Sequence, residues 1–342
     1  MTSAHLVPFN EIKLSKARRD LVKGLLPREG LSVVWGAPKS GKSFWMLDVA
    51  MHVALGWPYR GRRVQSGPVV YCAFEGQSGL GARVAAFTLD HGGSIPQDVP
   101  FFLQPVMLDL VARRGELIEL IRQLPVAPVL VVLDTLNRSI SGSESSDTDM
   151  SDYVKAADAI RSTFCCSVVI VHHCGHDVRR PRGHTALTGA CDAQIALKQD
   201  KAGNITATVE LSKDGPKGAV IFSRLKVVDV GIDEDGRAIT SCVVVPSEGS
   251  AIASRLRGAT RDAFDILRMA IDEAGDEPGA PGTPGNRPTV LHTIWKDRCA
   301  AANMVKSDKP DSFRTAFNRW QATLESQDFI GVAQGSVWIA NS

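Results

Sequence analysis

Eight consecutive residues, Gly36-Ala37-Pro38-Lys39-Ser40-Gly41-Lys42-Ser43, set two glycines, a lysine and a hydroxyl in the pattern GxxxxGK[ST]. Those residue types at that spacing suit the binding of a nucleoside triphosphate. Glycines allow successive backbone N–H groups to wrap phosphates, and a helix starting there adds partial positive charge. Lys42 would neutralise the β- and γ-phosphates, Ser43 would ligate Mg2+, and Phe44 closes the stretch. The alternative is a solvated glycine-rich turn, and the flanks decide between them. LSVVWG (31–36) reads as a buried strand and Lys42–Val53 as a helix, the context that phosphate binding needs.

A metal-bound triphosphate also calls for carboxylates. APVLVVLDT (127–135) is a β-branched run ending in Asp134, placed to hold Mg2+ through water at the C-terminal edge of a strand. Hydrolysis needs a group that orients water against the γ-phosphate. Glu75 ends the strand GPVVYCAFEG and would face that phosphate if its strand flanked the loop strand. Glu144 and Asp147, in the acidic stretch SGSESSDTD, are its rivals. His172 and His173 end CSVVIVHH, a strand expected near that of Asp134, where one imidazole would contact the γ-phosphate. The run HHCGH has no HExxH or CxxC pairing, so zinc is not expected there.

These groups need a scaffold that gathers strand ends on one edge. Strands at 31–36, 67–76, 101–104, 127–135 and 166–173 alternate with helices at 42–53, 78–89, 115–124 and 149–163. That alternation predicts an α/β fold, a mostly parallel sheet with helices on both faces. After Thr185, four strand-like segments separated by Gly, Asp and Asn turns predict added antiparallel strands. The organisation expected is an N-terminal segment (1–30), a core (31–247), a linker (248–258) and a small domain (259–342). The last part reads as three helices, 260–274, 289–302 and 311–327, then a two-stranded hairpin, the order of a winged helix. Trp295, Phe313, Phe317 and Trp320 are expected in its core, with Arg314, Asn318 and Arg319 facing out.

The 342 residues carry a net charge of only +2, so any basic surface must be local. Seven cysteines without a CxxC pair suit buried thiols in a reducing cytoplasm. No signal-peptide core or bilayer-length apolar run is present, so no membrane partner is expected.

The ordered set GAPKSGKSFW, VVYCAFEG, VLVVLDTLNRS, VVIVHHCGH and RGHTALTGACDAQIAL resembles the RecA-like ATPases of the RepA hexameric replicative helicase type, found on plasmids and prophages. The resemblance spans about Leu31 to Leu211. It implies a homo-oligomeric ring, a hexamer, with ATP and Mg2+ at each subunit interface. It implies Lys42 and Ser43 on phosphate and metal, Asp134 on Mg2+, Glu75 as the catalytic carboxylate, and a γ-phosphate sensor among His172 and His173. A cationic finger from the neighbouring subunit falls on Lys213, with Lys217 behind it; the ordinary reading is that both lysines solubilise an exposed hairpin. The segment CGHDVRRPRGHTALTG would line the ring's channel, where Arg179, Arg180 and Arg182 would follow the phosphates of single-stranded DNA. A charged solvated loop is the alternative, and Arg182 could instead serve the neighbouring nucleotide. The implied activity is an ATP-driven DNA helicase or translocase, with a replication initiator or primase as further partner. A DNA-binding ATPase of repair or loading and an ATP-sensing regulator are the other readings. Residues 251–342 hold 11 Lys+Arg and 11 Asp+Glu, so the tail does not declare itself a DNA reader.

Overall fold

The computed structural model describes residues 6–11, 19–175, 181–182, 185–200, 203–213, 215–247, 256, 258–275, 287–302, 304–305 and 310–340. The chain divides into two compact units: 1–198 with 207–219 and 226–244, and 199–206 with 220–225 and 245–342.

The first unit opens with a short antiparallel hairpin, β1 (Asp20–Val22) and β2 (Leu26–Pro27). The alternating region follows as β3 (Gly30–Gly36), α1 (Lys42–Leu55), β4 (Val69–Ala73), α2 (Gln77–His91), β5 (Phe101–Gln104), α3 (Leu110–Arg122), β6 (Leu130–Asp134), α4 (Asp147–Phe164) and β7 (Ser167–His173). A short helix, α5 (Ala186–Ala190), precedes β8 (Ala193–Gln199), β9 (Asn204–Ser212), β10 (Val220–Ile232) and β11 (Ala238–Pro246). One nine-stranded sheet results, in the order β11-β10-β9-β8-β3-β7-β6-β4-β5. β8, β3, β7, β6, β4 and β5 are mutually parallel, and β9 to β11 extend the sheet as an antiparallel meander. Gly203, just before β9, and Gly236, between β10 and β11, both lie at positive φ.

The central strands are continuous apolar runs because both faces are covered. Leu31, Val33, Val70, Cys72, Val131, Leu133, Val168 and Ile170 share one face, packed by Leu117 and Ile121 of α3 and by Tyr153, Ala157 and Ile160 of α4. α1 packs on β3, β4 and β6 from the other face. α3 starts five residues before the predicted 115 because Asp109 caps it, accepting from Val111 N at 2.9 Å and Ala112 N at 3.1 Å. Ser146 caps α4 through Asp149 N, moving its start to Asp147.

The second unit contains α6 (Gly258–Ala274), β12 (Val290–Leu291), α7 (His292–Ala301), α8 (Pro310–Ser326), β13 (Ile330–Ala333) and β14 (Ser336–Ile339). Its sheet has three strands in the order β12-β14-β13, so the predicted two-stranded hairpin gains β12. β12 occupies the start of the segment read as helix from 289, because Val290 and Leu291 pair with Val337 and Ser336. Trp295, Phe317 and Trp320 form this unit's core with Leu267 and Leu324, and Phe313 packs against it.

Candidate functional site

The parallel strands place their C-terminal ends on one edge, and the site is assembled there. The turn between β3 and α1 depends on backbone freedom: Gly41 has φ +79 and Lys39 φ +63. A Cβ on Gly36 would lie 2.3 Å from the Leu197 carbonyl oxygen, so only glycine lets β3 run this close to β8. Lys42 is buried and donates to the carbonyls of Gly36 at 3.0 Å and Ala37 at 2.8 Å. Burial lowers its pKa, against the pull of nearby Asp134, Cys174 and Glu75. The Ser40 hydroxyl is buried in the same turn without a partner, while Pro38 and Lys39 are exposed.

Asp134 ends β6 and is 3% exposed. The Tyr71 hydroxyl donates to its Oδ2 at 2.6 Å, and its Oδ1 has no hydrogen-bond partner. Burial raises the Asp134 pKa; hydrogen bonds from Tyr71 and Ser43 and the charge of Arg83 oppose the rise. A buried carboxylate oxygen without a donor, facing a serine and a lysine, fits a hydrated Mg2+.

Glu75 follows β4. The condition named for it, a strand flanking the loop strand, is not met: β7 and β6 lie between β3 and β4. Glu75 reaches the site by another route. The Thr135 hydroxyl, next to Asp134, donates to Glu75 Oε2 at 3.1 Å, and His173 Nε2 lies 3.8 Å from the same oxygen. The Asp134–Thr135 peptide bond is cis.

The two histidines diverge. β7 lies between β3 and β6, pairing with both, which sets His173 beside the loop and Asp134. Burial lowers the His173 pKa, and the Lys42 charge lowers it further. His172 is fully buried and turned toward the backbone of Arg182, where its Nε2 lies 2.8 Å from the carbonyl oxygen. A carbonyl only accepts, so Nε2 carries the proton and Nδ1 is left buried without a partner. Burial also lowers the His172 pKa.

Of the rival carboxylates, Glu144 is buried. It accepts from Asn137 Nδ2 at 2.9 Å and ion-pairs with Arg182 Nε at 2.9 Å. Asp147 is exposed in the first turn of α4. Arg179 and Arg180 lie outside the described residues. Lys213 pairs with Asp192 at 3.3 Å and its N–H donates to the Asp192 carbonyl. Asp192 is bonded to Leu31, at the start of β3. Lys213 is therefore about five residues, roughly 16 Å, from the phosphate-loop end of β3, on the opposite edge of the sheet. Lys217 is exposed nearby in sequence.

Three contributors went unread in the sequence. Tyr71 lies inside an apolar strand, where only its hydroxyl hinted at a partner. Thr135 directly follows the strand-end Asp134, a hydroxyl beside a carboxylate. Arg83, on α2, has its guanidinium carbon 4.4 Å from the Phe44 ring centroid and bears on Asp134 electrostatically. Its position eight residues after Glu75, in the second turn of α2, was the available signal.

A parallel sheet, a glycine-lined lysine loop at the end of one strand and a buried aspartate ending another define a P-loop ATPase core of the RecA-like α/β class. The chain belongs to the AAA domain family, which matches residues 4–179, more than half its length. No curated protein sequence matches it. The crystal structure of the RadB recombinase superposes with a TM-score of 0.42 and 18% identity, covering 59% of this chain and 90% of that one. No helix among the described residues is long and apolar enough to cross a membrane.

Proposed function

We propose that the chain is an ATP-hydrolysing DNA motor, a hexameric replicative helicase or translocase of the RepA type serving a mobile element. The observation that carries the ATPase half is the convergence of Lys42, Asp134 with its unpartnered Oδ1, Glu75 and His173 on one sheet edge. The motif set shared with RepA-type helicases and the arginines after β7 support the DNA half.

In this reading Gly36–Ser43 cradle the phosphates, and Lys42 exchanges two neutral carbonyls for anionic oxygens. Ser43 and Asp134 hold Mg2+, which would screen charge on the β- and γ-phosphates. Glu75, steadied by Thr135, orients the attacking water, and His173 senses the γ-phosphate. Arg83 adds a cation beside Asp134. Arg179 and Arg180 follow single-stranded DNA, so binding is sequence-tolerant and salt-sensitive. Lys213 is too far from its own loop to act there and would serve a neighbouring subunit's nucleotide. The second unit, with the element order of a winged helix, contacts duplex DNA, an initiator or a primase.

The test has three measurements. ATP turnover of the purified protein should rise with single-stranded DNA, and Lys42→Ala should abolish turnover. Mass measurement with a nonhydrolysable ATP analogue should give a hexamer. Strand displacement on forked DNA separates a helicase from an ATPase that repairs or loads without unwinding. A protein that remains monomeric and ignores DNA refutes the motor.

A further inference from the structure

Arg182 is fixed at three atoms. Its N–H donates to the His173 carbonyl at 3.0 Å, and its own carbonyl accepts from His172 Nε2 at 2.8 Å. Its Nε meets Glu144 Oε2 at 2.9 Å, and Asn137 holds the other Glu144 oxygen at 2.9 Å. An isolated bridge between Cys174 and Pro181 lies one residue further along on each side. Glu144 is 6% exposed, so removing its guanidinium would strand a buried charge. Moving the guanidinium to a DNA phosphate in water would forfeit that pairing. Asn137 is two residues from Thr135, which holds Glu75.

We infer that Glu144 and Arg182 form a clamp fixing the base of the segment after β7 to the ATP site, so that Arg182 is a positioning residue and not a phosphate contact. This rests on the motor reading, since the clamp would hold the DNA-binding segment in register with His173.

Two experiments test it, one independent of DNA. Trypsin must draw the Arg182 side chain into its own pocket to cut after it. The clamp predicts slow cleavage after Arg182 in the native chain and faster cleavage in Glu144→Gln, with cleavage after Arg179 as internal reference. Equal rates after Arg182 in both proteins overturn the clamp, whether or not DNA binds. The second experiment measures single-stranded DNA affinity against salt, and turnover with and without DNA, for the native chain, Glu144→Gln, Arg182→Gln and the double variant. A lost phosphate contact would flatten the log–log salt slope by about 0.7. The clamp predicts an unchanged slope for Arg182→Gln. It also predicts that DNA stimulation falls equally in both single variants and no further in the double. A flattened slope in Arg182→Gln alone, or losses that add, overturns it. If Glu144→Gln does not fold, Arg182→Gln carries the test, its side chain being more than half exposed. A native chain that binds no DNA sinks the motor reading and leaves the clamp to the trypsin result.

Discussion

Replacing Tyr71 with phenylalanine removes one oxygen from the site and leaves the ring in place. That oxygen donates to Asp134 Oδ2 at 2.6 Å, and both residues are buried. Without it, the Asp134 carboxylate keeps the Ser43 hydrogen bond and the Arg83 charge but loses its donor from β4, while Oδ1 has no partner already. A hydrogen bond to a charged group contributes about 1.5–3 kcal/mol. Taking about 2 kcal/mol, Tm should fall by about 4–8 °C for a unit of this size. The sign of the pH dependence follows from Asp134. Its folded pKa is already raised by burial, and the Tyr71 hydrogen bond holds it down. Tyr71→Phe therefore raises it further. The penalty is full at high pH, where Asp134 is ionised, and shrinks as pH falls through the folded pKa and the carboxyl carries its own proton. The acid limb of ATP turnover should move to higher pH in the variant. Saturating Mg2+ and nucleotide should narrow the Tm gap by giving Asp134 another partner. Scanning fluorimetry from pH 5 to pH 9 with and without Mg2+ and nucleotide, alongside turnover profiles, measures all of this. A Tm unchanged at high pH, or a penalty that grows on acidification, refutes the reasoning.

Gly36→Ala sets a methyl 2.3 Å from a backbone oxygen that cannot swing aside; it should cost at least about 2 kcal/mol in urea unfolding and weaken binding of a fluorescent ATP analogue. Glu75→Gln should bind that analogue within about twofold of the native chain while turnover falls at least about 100-fold. His52→Gln tests the buried cluster on the far part of α1, where His52 Nε2 lies 3.7 Å from Asp48, itself paired to Arg60 at 2.7 Å. Burial lowers the His52 pKa to about 4, a contribution lost as pH falls from 6.5; burial raises the Asp48 pKa to about 6, a contribution lost as pH rises from 3.8. The two oppose each other in the native chain, so its urea midpoint should be nearly flat between pH 4 and pH 6. In His52→Gln, Asp48 acts alone and stability should fall over that window by on the order of 3 kcal/mol; a midpoint that rises there contradicts the assignment.

Much of the core was legible because its signals are local. The glycine-lysine turn, the β-branched run to Asp134 and the strand before His172 each declare their own conformation, and the alternation fixes a parallel sheet. Strand order is not local. Nothing in VVYCAFEG states that two strands separate it from LSVVWG, so adjacency could enter only as a condition, and Glu75 arrives instead through Thr135. The histidines were readable as a pair but not individually, since consecutive strand residues face opposite ways and the register decides which one meets the site. The starts of α3 and α4 were missed because their caps, Asp109 and Ser146, lie ahead of the apolar pattern. β12 was missed because two residues carry no periodicity, and only pairing with Val337 and Ser336 makes them a strand.

β7 is stitched along both edges, to β3 on one side and β6 on the other. A strand held so cannot drift sideways without breaking two ladders at once. Sliding lengthwise would break the same ladders, so the register keeps His173 level with Gly36. The sheet is thus a jig that sets the spacing of the edge before any ligand arrives.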